Sequence, residues 1–351
     1  MEKVLIAMSG GVDSSVAAYI MQQSGYDCAG ATMILCGDLT DTAPEQITDA
    51  RAVADKLGMV FHILDRTADF RAKVADRFVR CYETGGTPNP CVDCNRHIKF
   101  GALLEEALTS GYDYIATGHY AIVRQDATTG RYLLYKAGDD TKDQSYFLAC
   151  LTQHQLAHTK FPLGELSKNQ VRKIAEEQGF INAKKRDSQD ICFIPDGDYV
   201  AFMKRYTGKT YPTGKYIDTA GNEIGTHQGA ICYTIGQRKG LGIALGAPAY
   251  VCGKDMANNT VTLGTNEDLF RTTLLADNWN WIPFPSLAVP MRVTAKVRYR
   301  HTPQSATVYP AENGSARVEF DQPQRAITPG QAVVLYDGDL VIGSGTITEV
   351  L

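Results

Sequence analysis

The chain has 351 residues, 44% of them hydrophobic and 21% charged, with a formal net charge of −4. That length exceeds one ordinary core and points to roughly two or three domains of soluble globular character. A mildly acidic balance argues against a protein that coats nucleic acid indiscriminately, but leaves room for a shaped RNA site. No run is long and apolar enough to span a bilayer, so no membrane role is expected. The start lacks a signal-peptide pattern, so the expected compartment is the cytoplasm. Nine unevenly spaced cysteines do not read as a secreted disulfide framework.

Residues 4–7 (Val-Leu-Ile-Ala) read as a short buried strand. Met8, Ser9, Gly10, Gly11, Val12, Asp13, Ser14 and Ser15 follow as a turn, and residues 17–21 suit a helix. A Gly-Gly turn between strand and helix gathers backbone N–H groups at a positive helix end, a ready site for phosphate oxygens. The turn lacks the Lys of a Walker loop. Ser-Gly-Gly-x-Asp-Ser instead resembles the pyrophosphate loop of PP-loop ATPases, a resemblance that implies cleavage of ATP to AMP and pyrophosphate. Further strands are expected at 28–33, 60–64 and 113–117, and helices at 45–57 and 69–82. That alternation indicates a parallel α/β sheet whose ligands sit beyond the strands' carboxyl ends. Residues 120–124 and 131–135 flank a Thr-Thr-Gly turn and read as an inserted β-hairpin.

Between them, the helix expected at 69–82 and the strand at 113–117 bracket a stretch with unusual cysteines. Pro88 and Pro90 are expected to hold it extended and to keep a helix from starting before Asn95. Asn95 would then cap the next helix, placing Cys94 at a helix N-terminus, where the dipole, Arg96 and Lys99 favour its thiolate. Cys192 follows polar residues and precedes Phe-Ile-Pro, which suits a loop or strand edge near the active cleft. Cys91-x-x-Cys94 lacks the second ligand pair of a zinc site; a redox Cys-x-x-Cys stays possible. The other cysteines, 28, 36, 81, 150, 232 and 252, read as small hydrophobes. Basic clusters occur at 184–186 and 296–301, the second interleaved with an aromatic residue.

After about residue 195 helices thin out, and short apolar runs such as 229–235 appear. From Leu274 onward, alternating runs at 291–297, 306–309, 316–320, 332–336 and 340–343, separated by Pro and Gly turns, suggest a small β-barrel. The expected division is a PP-loop domain over 1–199, a small linking domain over 200–268 and a C-terminal β-barrel over 269–351.

Motifs distributed along the chain extend the resemblance. The loop at 9–15, Asn89-Pro-x-x-x-Cys94-Asn95, Thr117-Gly-His-Tyr120, Lys142-Asp-Gln-Ser-Tyr-Phe147, Ser188-Gln-Asp-Ile-Cys192-Phe and Tyr233-Thr-Ile-Gly-Gln-Arg-Lys-Gly-Leu-Gly242 resemble, in order, bacterial tRNA-specific 2-thiouridylases. The resemblance implies ATP-dependent replacement of the C2 oxygen of the wobble uridine by sulfur in tRNAs for Lys, Glu and Gln. Pyrophosphate would leave into the loop, Mg²⁺ would accompany the nucleotide rather than occupy a tight metal site, and Ala7, Met33 and Gly118 would lie near the nucleotide. Cys192 would carry a persulfide from a donor protein, and Cys94 would attack its inner sulfur, leaving a Cys94–Cys192 disulfide. Asn89, Pro90 and Cys91 match the stretch bordering the target base. Lys142, Asp143, Gln144, Arg298, Tyr299, His119 and Gln331 match positions associated with tRNA. Many relatives have Asp where this chain has Cys91, which leaves the general acid open. A Cys91 thiol is also positioned in sequence to compete for the persulfide or to form an alternative disulfide. Rival readings are a PP-loop ligase acting on a small molecule and a non-catalytic RNA-binding protein.

Overall fold

In the computed structural model, which describes residues 1–37, 43–183, 185 and 191–351, β1 (Lys3–Ala7) buries Val4, Leu5 and Ile6. A strand apolar at consecutive positions is one covered on both faces. The chain continues through β2 (Asp27–Ile34), β3 (Val60–Asp65), β4 (Tyr114–Ala116), β5 (Ile122–Gln125), β6 (Tyr132–Tyr135) and β7 (Thr159–Lys160). Five of these form an all-parallel sheet in the order β3-β2-β1-β4-β7. The four expected strands are present. At two residues, β7 is too short to carry a periodic signal.

Helix α1 (Val12–Gln23) leaves the β1 loop and packs Val16, Ala17 and Ala18 against the sheet. The expected helix at 69–82 is one run, Thr67–Phe70, Arg71–Ala75 and Asp76–Glu83, with a π turn in its middle. Phe70, Phe78 and Tyr82 supply its buried face.

A four-stranded sheet follows, in the order β10-β11-β8-β9, from β8 (Gly214–Ile217), β9 (Glu223–His227), β10 (Tyr250–Asp255) and β11 (Thr260–Gly264). Within the apolar run 229–235, Ala230–Cys232 form a 3-10 turn. The last strands are β12 (Phe270–Trp281), β13 (Met291–Lys296), β14 (Gln304–Pro310), β15 (Ala316–Arg325), β16 (Ala332–Asp337) and β17 (Leu340–Val350). Because β12 pairs with both β15 and β17, they close into an antiparallel six-stranded barrel. Closure removes the sheet edges.

The β5–β6 hairpin forms as expected but does not belong to the parallel sheet: Tyr135 of β6 pairs with Leu340 of β17, so the hairpin extends the barrel's sheet. One hydrophobic cluster accordingly joins Leu5, Phe100, Leu103 and Ile115 to Ile282, Val334, Tyr336 and Val341. Among the described residues no helix is long and apolar enough to cross a membrane.

Candidate active site

The β1–α1 turn is locked by its own hydroxyls. Ser14 Oγ accepts from Ser9 N–H at 3.2 Å and donates to Gly11 O at 3.0 Å, and Ser15 Oγ donates to the same carbonyl at 3.0 Å. Asn182 Nδ2 donates to Gly10 O at 3.0 Å and to Ser15 Oγ at 2.9 Å, fixing the turn from outside. Gly10 has φ +71°, and a Cβ there would meet Gln46 O at 2.5 Å. Position 10 therefore requires glycine on both conformational and steric grounds. A Cβ at Gly118 would fall 2.7 Å from the Asp13 carbonyl carbon and the Ser14 nitrogen. The close approach that Gly118 permits is thus between the end of β4 and the first turn of α1. Met8 donates its N–H to Ala31 O and accepts from Thr32 Oγ1, tying the loop to β2. Ala7 and Met33 lie at the carboxyl ends of β1 and β2, both partly buried.

Asp13 has partners that the motif alone does not reveal. Lys168 Nζ reaches both carboxylate oxygens at 2.7 and 2.8 Å, and Tyr120 OH donates to Oδ1 at 2.7 Å. Lys168 is the first residue of helix Lys168–Glu177, behind the Ser167–Gln170 capping box. A lysine in a first turn opposes the helix dipole. That misplaced charge was the available sequence signal for Lys168.

The helix bearing Cys94 starts at Pro90, not after Asn95. Asn89 is its N-cap, Pro90 its first residue, and the helix Pro90–Cys94 runs on into a π-helical segment Asn95–Ala102. Proline is tolerated at a first helical position because its missing N–H has no intrahelical acceptor there. Asn95 is therefore interior, donating through Nδ2 to Phe147 O at 3.1 Å. The inference of an activated Cys94 falls with it: Cys94 is buried, and burial pushes its thiol up to about 12 despite the Lys99 charge. Asp93 turns to Arg77 Nε at 3.3 Å.

Cys192 shows the opposite behaviour. It retains exposed surface in the turn where Ile194 N–H bonds Ile191 O, and Phe193 anchors that turn against Phe70, Phe78 and Phe202 at ring distances of 5.4, 5.3 and 5.0 Å. Its thiol is lowered to about 7, first by a hydrogen bond from the Cys36 thiol, against burial, with help from Lys99 and from the backbone N–H groups of Cys192 and Phe193. Cys36 therefore does more than fill space. Cys91, Cys94 and Cys192 all lie within charge range of Lys99, and Cys192 is within charge range of both other thiols. Two cysteines 98 positions apart thus converge. Residues 187–190 of the Cys192 motif, and Lys184 and Arg186 of the first basic cluster, lie outside the described residues.

The residues associated with tRNA occupy mixed positions. Asn89, Pro90 and Cys91 form the first turn of the cysteine helix, with Cys91 exposed. Gln331 donates to Thr87 O at 2.9 Å and Pro88 O at 3.0 Å, pinning the segment before that helix to the barrel. Asp143 is buried and accepts from Ala137 N–H, Ser145 N–H and Ser145 Oγ. Gln144 Oε1 accepts from Tyr120 N–H, while Lys142 is only partly buried. Arg298 donates to Arg325 O at 3.0 Å, and the Tyr299 ring lies 4.4 Å from Phe147. His119 sits beside Phe100 and Phe161, its Nδ1 2.8 Å from Thr117 Oγ1, and burial holds it neutral. Gln331, Tyr299, Asp143 and Gln144 therefore bind protein groups along or near the seam between the parallel-sheet domain and the barrel.

This parallel sheet, with its Gly-Gly turn between β1 and α1, defines a HUP-class domain, and the comparisons with known proteins agree. Residues 2–196 match a family model described as tRNA methyl transferase HUP domain, 200–265 one described as tRNA methyl transferase PRC-barrel domain, and 271–347 one described as Aminomethyltransferase beta-barrel domain. The chain is 48% identical to tRNA-specific 2-thiouridylase MnmA of Clostridioides difficile, covering 100% of this chain and 99% of that protein. It is also 48% identical to the protein of the same name from Acetivibrio thermocellus, over 99% of each. The chain belongs to the tRNA-specific 2-thiouridylase family. Among solved structures, the U34-tRNA thiolase NcsA of Methanococcus maripaludis, with its [4Fe-4S] cluster, aligns with a TM-score of 0.37 and 19% identity, covering 58% of this chain and 67% of that one. That likeness is too loose to bear on function.

Proposed function

We propose that the protein catalyses ATP-dependent 2-thiolation of the wobble uridine of tRNAs for Lys, Glu and Gln, in the cytoplasm, with sulfur carried as a persulfide on Cys192. The observation that carries this reading is the convergence of Cys192 and Cys94 around Lys99. A small-molecule ligase has no use for that pair.

An amide-like carbonyl oxygen leaves poorly, so the uridine O2 is first adenylated and pyrophosphate departs into the loop at Ser9–Ser14. Among the described residues no three His, Cys, Asp or Glu side chains gather as a metal site, and Asp13 is taken by Lys168 and Tyr120. Mg²⁺ would arrive on the nucleotide's own phosphates, offsetting their charge. A thiol lowered to about 7 suits Cys192 to accept a sulfane sulfur from a donor protein at neutral pH. The terminal sulfur bonds C2 and AMP leaves with the former O2. The Cys94 thiol then gives up its proton and attacks Cys192 Sγ, the persulfide S–S bond breaks with its electron pair going to the sulfur on C2, and a Cys94–Cys192 disulfide is left. The expected division at 1–199, 200–268 and 269–351 gives this chemistry a catalytic domain, a linker and a barrel on the tRNA side. The target base must leave its stack to reach such a sequestered centre. Asn89, Pro90 and Cys91 would border that base, with Lys142, Arg298 and His119 on the tRNA side.

The test is ATP–pyrophosphate exchange that depends on tRNA, with mass spectrometry of wobble nucleosides from cells lacking the protein and rescued with Cys94→Ala or Cys192→Ala. Rescue only by the unsubstituted protein is expected; full 2-thiouridine with either variant would overturn the reading.

A further inference from the structure

The established family and the proposed chemistry leave Cys91 without a chemical role and the Cys94–Cys192 disulfide without a route back. Cys91 and Cys94 are one helical turn apart in the helix Pro90–Cys94, so their side chains share a face. Helical geometry sets Cα atoms three positions apart at about 5 Å, inside the roughly 4.4–6.8 Å range a disulfide spans. Cys91 is exposed, whereas Cys94 beneath it is buried, and both thiols are free. Cys192, also exposed, lies near enough for its charge to act on both thiols.

We propose that Cys91 is a resolving thiol, which opens the Cys94–Cys192 disulfide by attacking Cys94 and carries the oxidised bond to the surface as Cys91–Cys94. The inference rests on the persulfide reading of the site. In the step, the Cys91 thiol gives its proton to solvent and its sulfur bonds Cys94 Sγ. The Cys94–Cys192 bond breaks, and the electron pair leaves on Cys192 Sγ as thiolate. One disulfide replaces another, with no net oxidation. A dithiol reductant from solution then reduces Cys91–Cys94 from the side of Cys91, the residue of the pair with exposed surface.

The direction of attack follows from the leaving groups. A disulfide breaks faster when the departing sulfur is the more acidic one. Cys192 lies at about 7 and Cys94 at about 12, so attack at Cys94 expels the good leaving group and attack at Cys192 the poor one. Although the residue keeps exposed surface, its thiol end is desolvated, and that, with the Cys192 charge, raises the Cys91 thiol against Lys99. Once Cys192 is bonded in the disulfide that charge is gone, and Lys99 acts on Cys91 unopposed by it. The product is Cys192 as thiolate, the form that accepts the next sulfur.

The test loads the full-length protein with persulfide from inorganic polysulfide and supplies ATP, Mg²⁺ and unmodified tRNA for one turnover. The reaction is then quenched with acid and N-ethylmaleimide, and disulfides are mapped by peptide mass spectrometry. Wild type is expected to hold Cys91–Cys94, with Cys192 labelled. Cys91→Ser is expected to hold Cys94–Cys192, and its recovery of free Cys192 under a dithiol reductant should slow about tenfold. Cys94–Cys192 as the sole disulfide in wild type, with 2-thiouridine formed, would overturn the resolving role and leave the proposed function standing. Persulfide left intact on Cys192 with no 2-thiouridine formed would overturn the proposed function itself.

Discussion

At the site the decisive asymmetry is between two cysteines of the same chemistry in different surroundings. Cys192 receives a hydrogen bond from Cys36 and the field of Lys99, while burial dominates at Cys94. Thiolate is the reactive form, and its fraction grows as pH rises through the folded-state value. Alkylation of Cys192 by iodoacetamide should therefore rise around pH 7 and level off above it, with Cys94 unlabelled across that range; peptide mass spectrometry reads both. Cys36→Ala removes the largest stabiliser of the Cys192 thiolate, so the midpoint moves upward, and labelling at pH 7 should fall about fivefold. An unchanged midpoint would show that Lys99 and the backbone amides suffice. Cys94 and Cys192 were legible in the sequence because each sits in a dense local motif. Cys36 was not, because its role exists only where the loop after β2 meets the 191–194 turn, and no local pattern encodes that meeting. The error at Asn95 has a physical source as well: Pro90 was read as a helix breaker, whereas at a first helical position proline starts a helix.

Strand ends and helix starts carry the half of the site proposed for the nucleotide. The β1–α1 loop was readable because a strand, a glycine turn and a helix follow one another without interruption. What positions it comes from afar: Asn182 from beyond helix Lys168–Glu177, Lys168 from that helix's first turn, and Gly118 from the end of β4. Lys168 is almost wholly buried, and removing one partner of a buried ion pair leaves the other unpaired. Because Asp13 retains some exposure, Lys168→Ala should destabilise the protein by about 2 kcal/mol, below the full cost of an enclosed pair. In a thermal-unfolding series, Asp13→Asn in that background should recover part of the loss, since it removes the orphaned charge. Independent effects of the two substitutions would show that the pair contributes no coupling. Gly118→Ala tests the packing directly. Its methyl would meet backbone atoms that cannot rotate away, so the start of α1 must shift. ATP–pyrophosphate exchange should fall at least about tenfold while the far-ultraviolet circular dichroism spectrum is retained, because sub-ångström placement of phosphate-binding amides governs such sites. Exchange within a factor of about two would show that the loop absorbs the displacement.

Across the whole molecule, runs of contrasting pattern point to three domains, and the strand content of the last is readable from turn residues and alternation. How the runs join is not. The hairpin β5–β6 reads locally as a decoration of the first domain, yet its second strand pairs with β17, and strand pairing over some 200 positions leaves no trace in a local window. Side-chain bonds follow the same seam. Asn280 Nδ2 donates to Ala149 O and Leu151 O at 2.8 Å each, Arg131 Nε to Ile282 O at 2.8 Å, and Tyr146 OH to Ala332 O at 2.9 Å. Beneath them Ile282, Val334, Tyr336 and Val341 complete a core begun by Leu5 and Phe100. The barrel thus shares a core with the parallel-sheet domain as well as adjoining it. A chain ending at residue 268 would expose that apolar surface, leave the edge of β6 unpaired and free the Thr87 and Pro88 carbonyls that Gln331 holds ahead of the cysteine helix. Exposed edges and apolar faces promote association. Such a fragment should therefore aggregate or unfold at markedly lower temperature than the full chain, as read by light scattering and thermal unfolding. It should also lose the low midpoint of Cys192 alkylation, because the helix that carries Lys99 is no longer held from the barrel side. A soluble fragment melting with the full chain and titrating Cys192 near 7 would mean that the seam is a contact surface, and that the catalytic unit folds without it.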